Sequence, residues 1–138
     1  MTAKEYLRQI ESKRRIIQRD KERLQELREI TVTVRGVSYD TDKVQSSNFG
    51  GMVDIERLYD MERKLRKEIL QYMELSARII EQINLLEDLQ CSEVLYLRYV
   101  NCLRWEDISR RMGIGLRGVY KVHGRALKLF YEKYKQFI

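Results

Sequence analysis

Proline is absent from all 138 residues, and with it the usual device for stopping a helix or stiffening a turn. A sandwich or barrel of short strands needs turn residues at frequent intervals. No prolines and only seven glycines leave few such punctuation points, so a strand-rich fold is excluded. Cysteine and histidine are nearly missing too: Cys91, Cys102 and His123 are all there are. A structural zinc site ordinarily takes about four such ligands, so neither metal nor cofactor is expected, and the cysteines should be reduced thiols, at least one of them buried. No apolar run approaches the ~20 residues that cross a bilayer. No stretch has the charged start, apolar middle and small-residue end of a secretion signal. The expectation is a soluble, intracellular protein with no membrane partner. Isolated carboxylate pairs, phosphate-cradling glycine loops and nucleophile elbows are also lacking, so the chain is not expected to be an enzyme.

What is present is charge, and it is unevenly placed. Charged residues make up 35% of the chain and the net charge is +6. Residues 1–30 carry nine Lys/Arg against six Asp/Glu, residues 31–52 balance, and residues 53–90 carry six against nine. Residues 91–138 carry ten against four, so the last third accounts for the whole excess. A segment that basic suits a polyanion, because each neutralised phosphate releases condensed counterions.

Helical patterning runs through most of the chain. Residues 2–30 are rich in good helix formers, with Tyr6, Ile10, Ile17, Leu24 and Leu27 along one stripe. Thr31 to Val37 switches to β-branched alternation, and the pair Gly50-Gly51 follows. Residues 31–52 therefore read as a connecting loop holding a short extended piece. Asp54 is the expected N-cap of a second long helix. From there a 3-4 repeat passes through Ile55, Leu58, Glu62, Leu65, Ile69, Tyr72, Ser76, Ile79, Ile83 and Leu86. Eight of these ten positions are apolar, a coiled-coil or helix-hairpin signature. Residues 2–30 could fold back on it, or a second copy of the chain could pair with it. Ser92 is the expected cap of a short helix carrying Val94, Leu95, Leu97 and Val100. Asn101 to Arg104 interrupts, Trp105 to Met112 resumes, and a last helix runs from about 116 to 136. The fold class is all-α: a long, coiled-coil-like helical hairpin over residues 1–90, then a helix-turn-helix domain over residues 91–138.

The segment from Trp105 to Leu127 carries the functional signal. Ile108 and Met112 lie one turn apart, Ser109 is small where helices would cross, and Gly113 falls where the chain must turn left-handed. Ile114 can plug the turn, and Val119 and Val122 offer a second apolar face. Two helices joined by a tight corner need that ordered set, and the start of the second helix is then free to enter a major groove.

The stretch from Glu93 to Phe130 resembles region 4 of sigma-70-type factors, which read the −35 promoter element. The whole chain resembles the small ArpU/RinA-type transcriptional regulators of phages and prophages. The string Asp42-Lys43-Val44-Gln45-Ser46-Ser47, the pair Arg98-Tyr99, Trp105 and the run His123 to Leu127 carry that likeness. It implies a regulator of late phage genes in the cytoplasm of a bacterial host. Its partners would be double-stranded DNA, RNA polymerase and, through the long helices, a second copy. Placed by position, the base-reading slots of the sigma pattern fall on Leu116, Arg117, Tyr120 and Lys121. Arg117 and Lys121 can both donate to guanine, while Arg104, Arg110, Arg111, Arg125 and Lys128 suit phosphates. Gly115 stands where a Ser or Thr cap is usual, Leu116 replaces a polar reader, and Gly118 and Gly124 each weaken the helix by ~1 kcal/mol relative to Ala.

Simpler readings stand beside these. Trp105 fits a core or near-core position, His123 a solvated one, and the stripe of Tyr131, Tyr134 and Phe137 a core or dimer contact. The alternative functions are a DNA-packaging subunit similar to phage small terminases and a protein-docking adaptor for RNA polymerase.

Overall fold

A computed structural model describes residues 1–38 and 47–138, and the side chains of residues 1–31 and 55–138. Helices account for all the regular structure among them: α1 (Ala3–Ser38), α2 (Ser47–Asn84), α3 (Leu89–Leu95), α4 (Trp105–Met112) and α5 (Leu116–Tyr134). A π-helical segment, Tyr96–Val100, continues α3, and a 3-10 turn, Lys135–Phe137, closes the chain. The fold class is all-α. No helix of the described residues is long and apolar enough to cross a membrane.

The start of α1 is set by a reciprocal cap. Thr2 Oγ1 accepts from the Glu5 amide at 3.2 Å, and Glu5 carboxylate accepts from the Thr2 amide at 2.7 Å. Two amides that the first turn leaves without partners are thereby satisfied.

The expected loop over residues 31–52 is corrected at both ends. Residues 31–38 belong to α1 and residues 47–52 to α2, while residues 39–46, with most of the Asp42–Ser47 string, lie outside the described residues. β-Branched residues cost a helix only a few tenths of a kcal/mol each, and extending a formed helix adds a hydrogen bond per residue fixed. Thr31 shows the accommodation: its hydroxyl donates back to the Leu27 carbonyl at 2.7 Å. Asp54 is consequently internal to α2 and does not cap it. Ser92 is not a cap either. Asp88 opens α3, accepting from the Cys91 amide at 3.2 Å, and Ser92 Oγ instead donates to the Ile83 carbonyl at 2.9 Å. That second bond staples α3 to the end of α2.

By packing, the chain divides into two compact units whose bounds fall inside the long helices. One comprises Met1–Lys13 with Tyr72–Ile138, the other Arg14–Gln71. The first has a continuous core to which every helix contributes. Tyr6, Leu7 and Ile10 come from α1, Ile79 and Ile83 from α2, and Cys91, Val94 and Leu95 from α3. Ile108 of α4 and Val119, Val122, Ala126, Phe130 and Tyr134 of α5 complete it. Residues expected to belong to the hairpin alone thus help to build the core beneath α4 and α5. Within it Tyr6 hydroxyl donates to Gln82 Oε1 at 3.0 Å, a buried bond joining α1 to α2. In the second unit α1 and α2 are tied by the Arg28–Glu62 ion pair. The ten positions of the α2 repeat are all buried or half-buried, Glu62 and Ser76 included.

Candidate nucleic-acid interface

The joint between α4 and α5 is three residues long, and each has a local reason. Gly113 ends α4 at φ +67, ψ 28, the left-handed conformation that a side chain resists. Its amide donates to the Ser109 carbonyl, as does the Ile114 amide at 3.3 Å. Ser109 Oγ closes the loop by donating to the Ile114 carbonyl. Ser109 is therefore small and also the polar latch of the turn. Gly115 follows in an extended conformation and begins α5 without a side-chain cap. Ile108, Val119 and Val122 are buried, and Met112 and Ile114 pack partly buried against the same core.

Burying Val119, Val122, Ala126 and Phe130 turns the opposite side of α5 outward. Arg117, Lys121 and Lys128 fall there on one row at helical spacing, with Gly124 among them, and all are exposed. Leu116 is half-buried, and Tyr120, on the flank of that row, is 47% exposed. Arg104 precedes α4, and Arg110 and Arg111 lie in its last turn, all exposed. Arg110 pairs with Asp107 one turn earlier at 3.1 Å, a surface contact of small energy. Three of the four base-reading candidates and four of the five phosphate candidates therefore present side chains to solvent without a structural tie to another helix.

Arg125 is the exception. It reaches back to the start of α3, pairing with Asp88 at 3.3 Å and donating to Gln90 Oε1 at 3.4 Å and to Cys91 Sγ at 3.5 Å. Asp88 also caps α3, and the Cys91 amide, helped by Arg125, holds its carboxylate below the usual range. Arg125 thus clamps α5 to the beginning of α3. Lys128 borders an open notch with Met1, Ala3, Leu127 and Tyr131.

The expectation of a solvated His123 is corrected. The imidazole is half-buried, 5.8 Å from the Tyr99 ring in a stacked arrangement and 4.7 Å from Trp105 at 69°. Its Nε2 lies 2.7 Å from the Tyr99 hydroxyl, which donates when that nitrogen is unprotonated. Burial, with Lys4, Arg98 and Arg8 nearby, pushes the His123 pKa down to about 4, and burial pushes Tyr99 up to about 12. Both groups are neutral near pH 7 and act as a buried hydrogen-bonded pair. Trp105 is half-buried as expected, with Arg98 over its ring at 4.2 Å and Tyr120 against it at 5.4 Å. Of the C-terminal aromatics, Tyr134 is in the core, whereas Tyr131 and Phe137 are exposed.

No family model matches the chain, and neither a curated protein nor a solved structure is found similar to it.

Sequence patterns could have disclosed part of what was missed. Thr2-x-x-Glu5 is a capping-box signature. Asp88 preceding Leu89 was as good a cap candidate as Ser92. The Arg125–Asp88, Tyr99–His123 and Arg98–Trp105 contacts had no such local signal, because each depends on how α3 or its π segment meets α4 and α5.

Proposed function

We propose that α4 and α5 form a helix-turn-helix that binds double-stranded DNA, and that the chain acts as a transcriptional regulator of the phage type. The observation that carries this reading is the face of α5: its valines are buried while Arg117, Tyr120 and Lys121, in its first two turns, stay exposed. A helix presented that way offers donors to base edges, and the flanking Arg104, Arg110 and Arg111 can hold phosphates. The uncapped amides at its start add a favourable field for a phosphate. The excess of basic residues after residue 90 and the resemblance to sigma region 4 support the same assignment. In this scheme the paired helices α1 and α2 serve to hold a partner, RNA polymerase or a second copy.

The test is retention of fragments from the genome that encodes the chain, over a series of salt concentrations. The wild-type protein is expected to enrich one upstream region. Arg117→Ala with Lys121→Ala should abolish that enrichment and lower affinity for the retained site by roughly ten- to a hundredfold. Retention that falls steeply with salt but enriches nothing would reduce the assignment to phosphate binding. No retention at low salt would end it.

A further inference from the structure

Three aromatic rings and one guanidinium form a connected layer beside the exposed row of α5. Arg98, on the π segment, donates from Nη1 to the Leu103 carbonyl at 2.8 Å and lies 4.2 Å from the centroid of Trp105. The first bond fixes the guanidinium to the backbone leading into α4, and the second fixes the indole under it. His123 meets the same indole at 4.7 Å and 69°, and is itself held by Tyr99. Trp105 is thus immobilised by two neighbours on separate elements. Its remaining aromatic contact is with Tyr120, at 5.4 Å and 69°, an edge-to-face geometry.

This arrangement sets Tyr120 apart from its neighbours. Arg117 and Lys121 extend into solvent on flexible stems, and ordering them costs rotamer entropy at each contact. The Tyr120 ring has two rotatable bonds and is already braced by the indole, yet 47% of the residue remains exposed. A side chain that is both held and exposed pays little to bind. Its exposed surface is mostly apolar, and the apolar feature of a major groove is the 5-methyl group of thymine.

We propose that Tyr120 is a specificity-determining contact, recognising a thymine methyl group, and that Trp105 is the residue that positions it. The proposal rests on the DNA-binding reading above. It divides the labour on α5: Arg117 and Lys121 supply charge and guanine contacts, while Tyr120 selects for thymine through a ring that Trp105 keeps in place.

The experiment selects preferred duplexes from a random pool with the full chain, then replaces each thymine of the selected site by deoxyuridine, which lacks the methyl group. One replacement is expected to weaken wild-type binding by about tenfold. Trp105→Ala and Tyr120→Ala should bind thymine and deoxyuridine duplexes equally, with the salt dependence unchanged because the phosphate contacts remain. Trp105→Phe should restore most of the preference. Trp105 is the only tryptophan, so its emission should also change on adding the thymine duplex, and change less with the deoxyuridine duplex. A Trp105→Ala protein that keeps the full preference overturns the positioning role. If that variant does not fold, Arg98→Met, which removes the brace above the indole, takes its place with the same outcomes. A wild-type protein that binds duplex DNA but ignores the methyl group overturns the proposal and leaves the DNA-binding reading intact. One that binds no duplex overturns both.

Discussion

The two packing units bury their side chains to different depths. In the unit of Met1–Lys13 and Tyr72–Ile138, Leu7, Ile79, Ile83, Val94, Leu95, Ile108, Val119 and Phe130 are completely covered. Among the described side chains of Arg14–Gln71, only Leu24, Thr31 and Leu65 are buried, while Ile17, Leu27, Ile55, Leu58 and Ile69 are half-covered. The helix-forming sequence and the apolar stripe are as good in the second as in the first. The difference lies in the number of elements converging. Two helices share one seam and leave its edges open, whereas α3, α4 and α5 close over the ends of α1 and α2 from further sides. A stripe at helical spacing therefore announces a buried face, but the depth of burial is set by what else arrives.

The comparison can be broken most forcefully at Phe130, which touches Tyr6 at 6.0 Å between ring centroids and Tyr134 at 4.9 Å. Phe130→Ala should destabilise the first unit by about 3–5 kcal/mol, measured by chemical denaturation. Leu65→Ala in the two-helix unit should cost about 2 kcal/mol, the low end for a leucine, because its surroundings can close on the gap. Equal losses at both positions would remove the distinction. Acid should also discriminate between them. The folded-state pKa of His123 lies near 4, below its ordinary value of 6.5. The unfolded chain therefore binds the extra proton first. The His123 contribution is fully present above about pH 6.5 and is lost as pH falls toward 4 and below, by roughly 2 kcal/mol in all. Melting followed through Trp105 emission should show the loss, and His123→Phe should flatten it. The smallest change expected is a gain: a methyl group at Gly124 meets nothing within 4 Å, so Gly124→Ala should stabilise α5 by about 1 kcal/mol.

The legible parts of the fold were those with a local cause. The α2 repeat anticipated ten buried or half-buried positions, and Gly113, Ile108, Val119 and Val122 lie where a tight corner requires them. The helical course of residues 31–38 was hidden because Thr-Val-Thr-Val alternation favours a strand only when a strand partner exists, and none is supplied here. In the candidate interface the exposed cations of α5 were legible from their spacing against the valines. Arg125 was misplaced, since a residue two positions from Val122 and Ala126's row cannot be assigned to solvent or to Asp88 without knowing where α3 begins. His123 failed for a related reason: a lone polar ring at the edge of an apolar face is solvated or buried according to whether a tyrosine from another helix comes to meet it.

The π segment has a consequence for counting. The Asn101 amide bonds to the Tyr96 carbonyl five residues back, at 3.1 Å, so this stretch accommodates one more residue than an α-helix turn would hold. Each residue of an α-helix advances the chain by about 100° around its axis. Deleting a single residue between Tyr96 and Val100 would remove the bulge and re-phase whatever follows it, swinging the joint of α4 and α5 relative to the seat prepared for it. The orientation of the basic face is thus encoded in chain length at one place, and insertions or deletions there should be far less tolerable than substitutions.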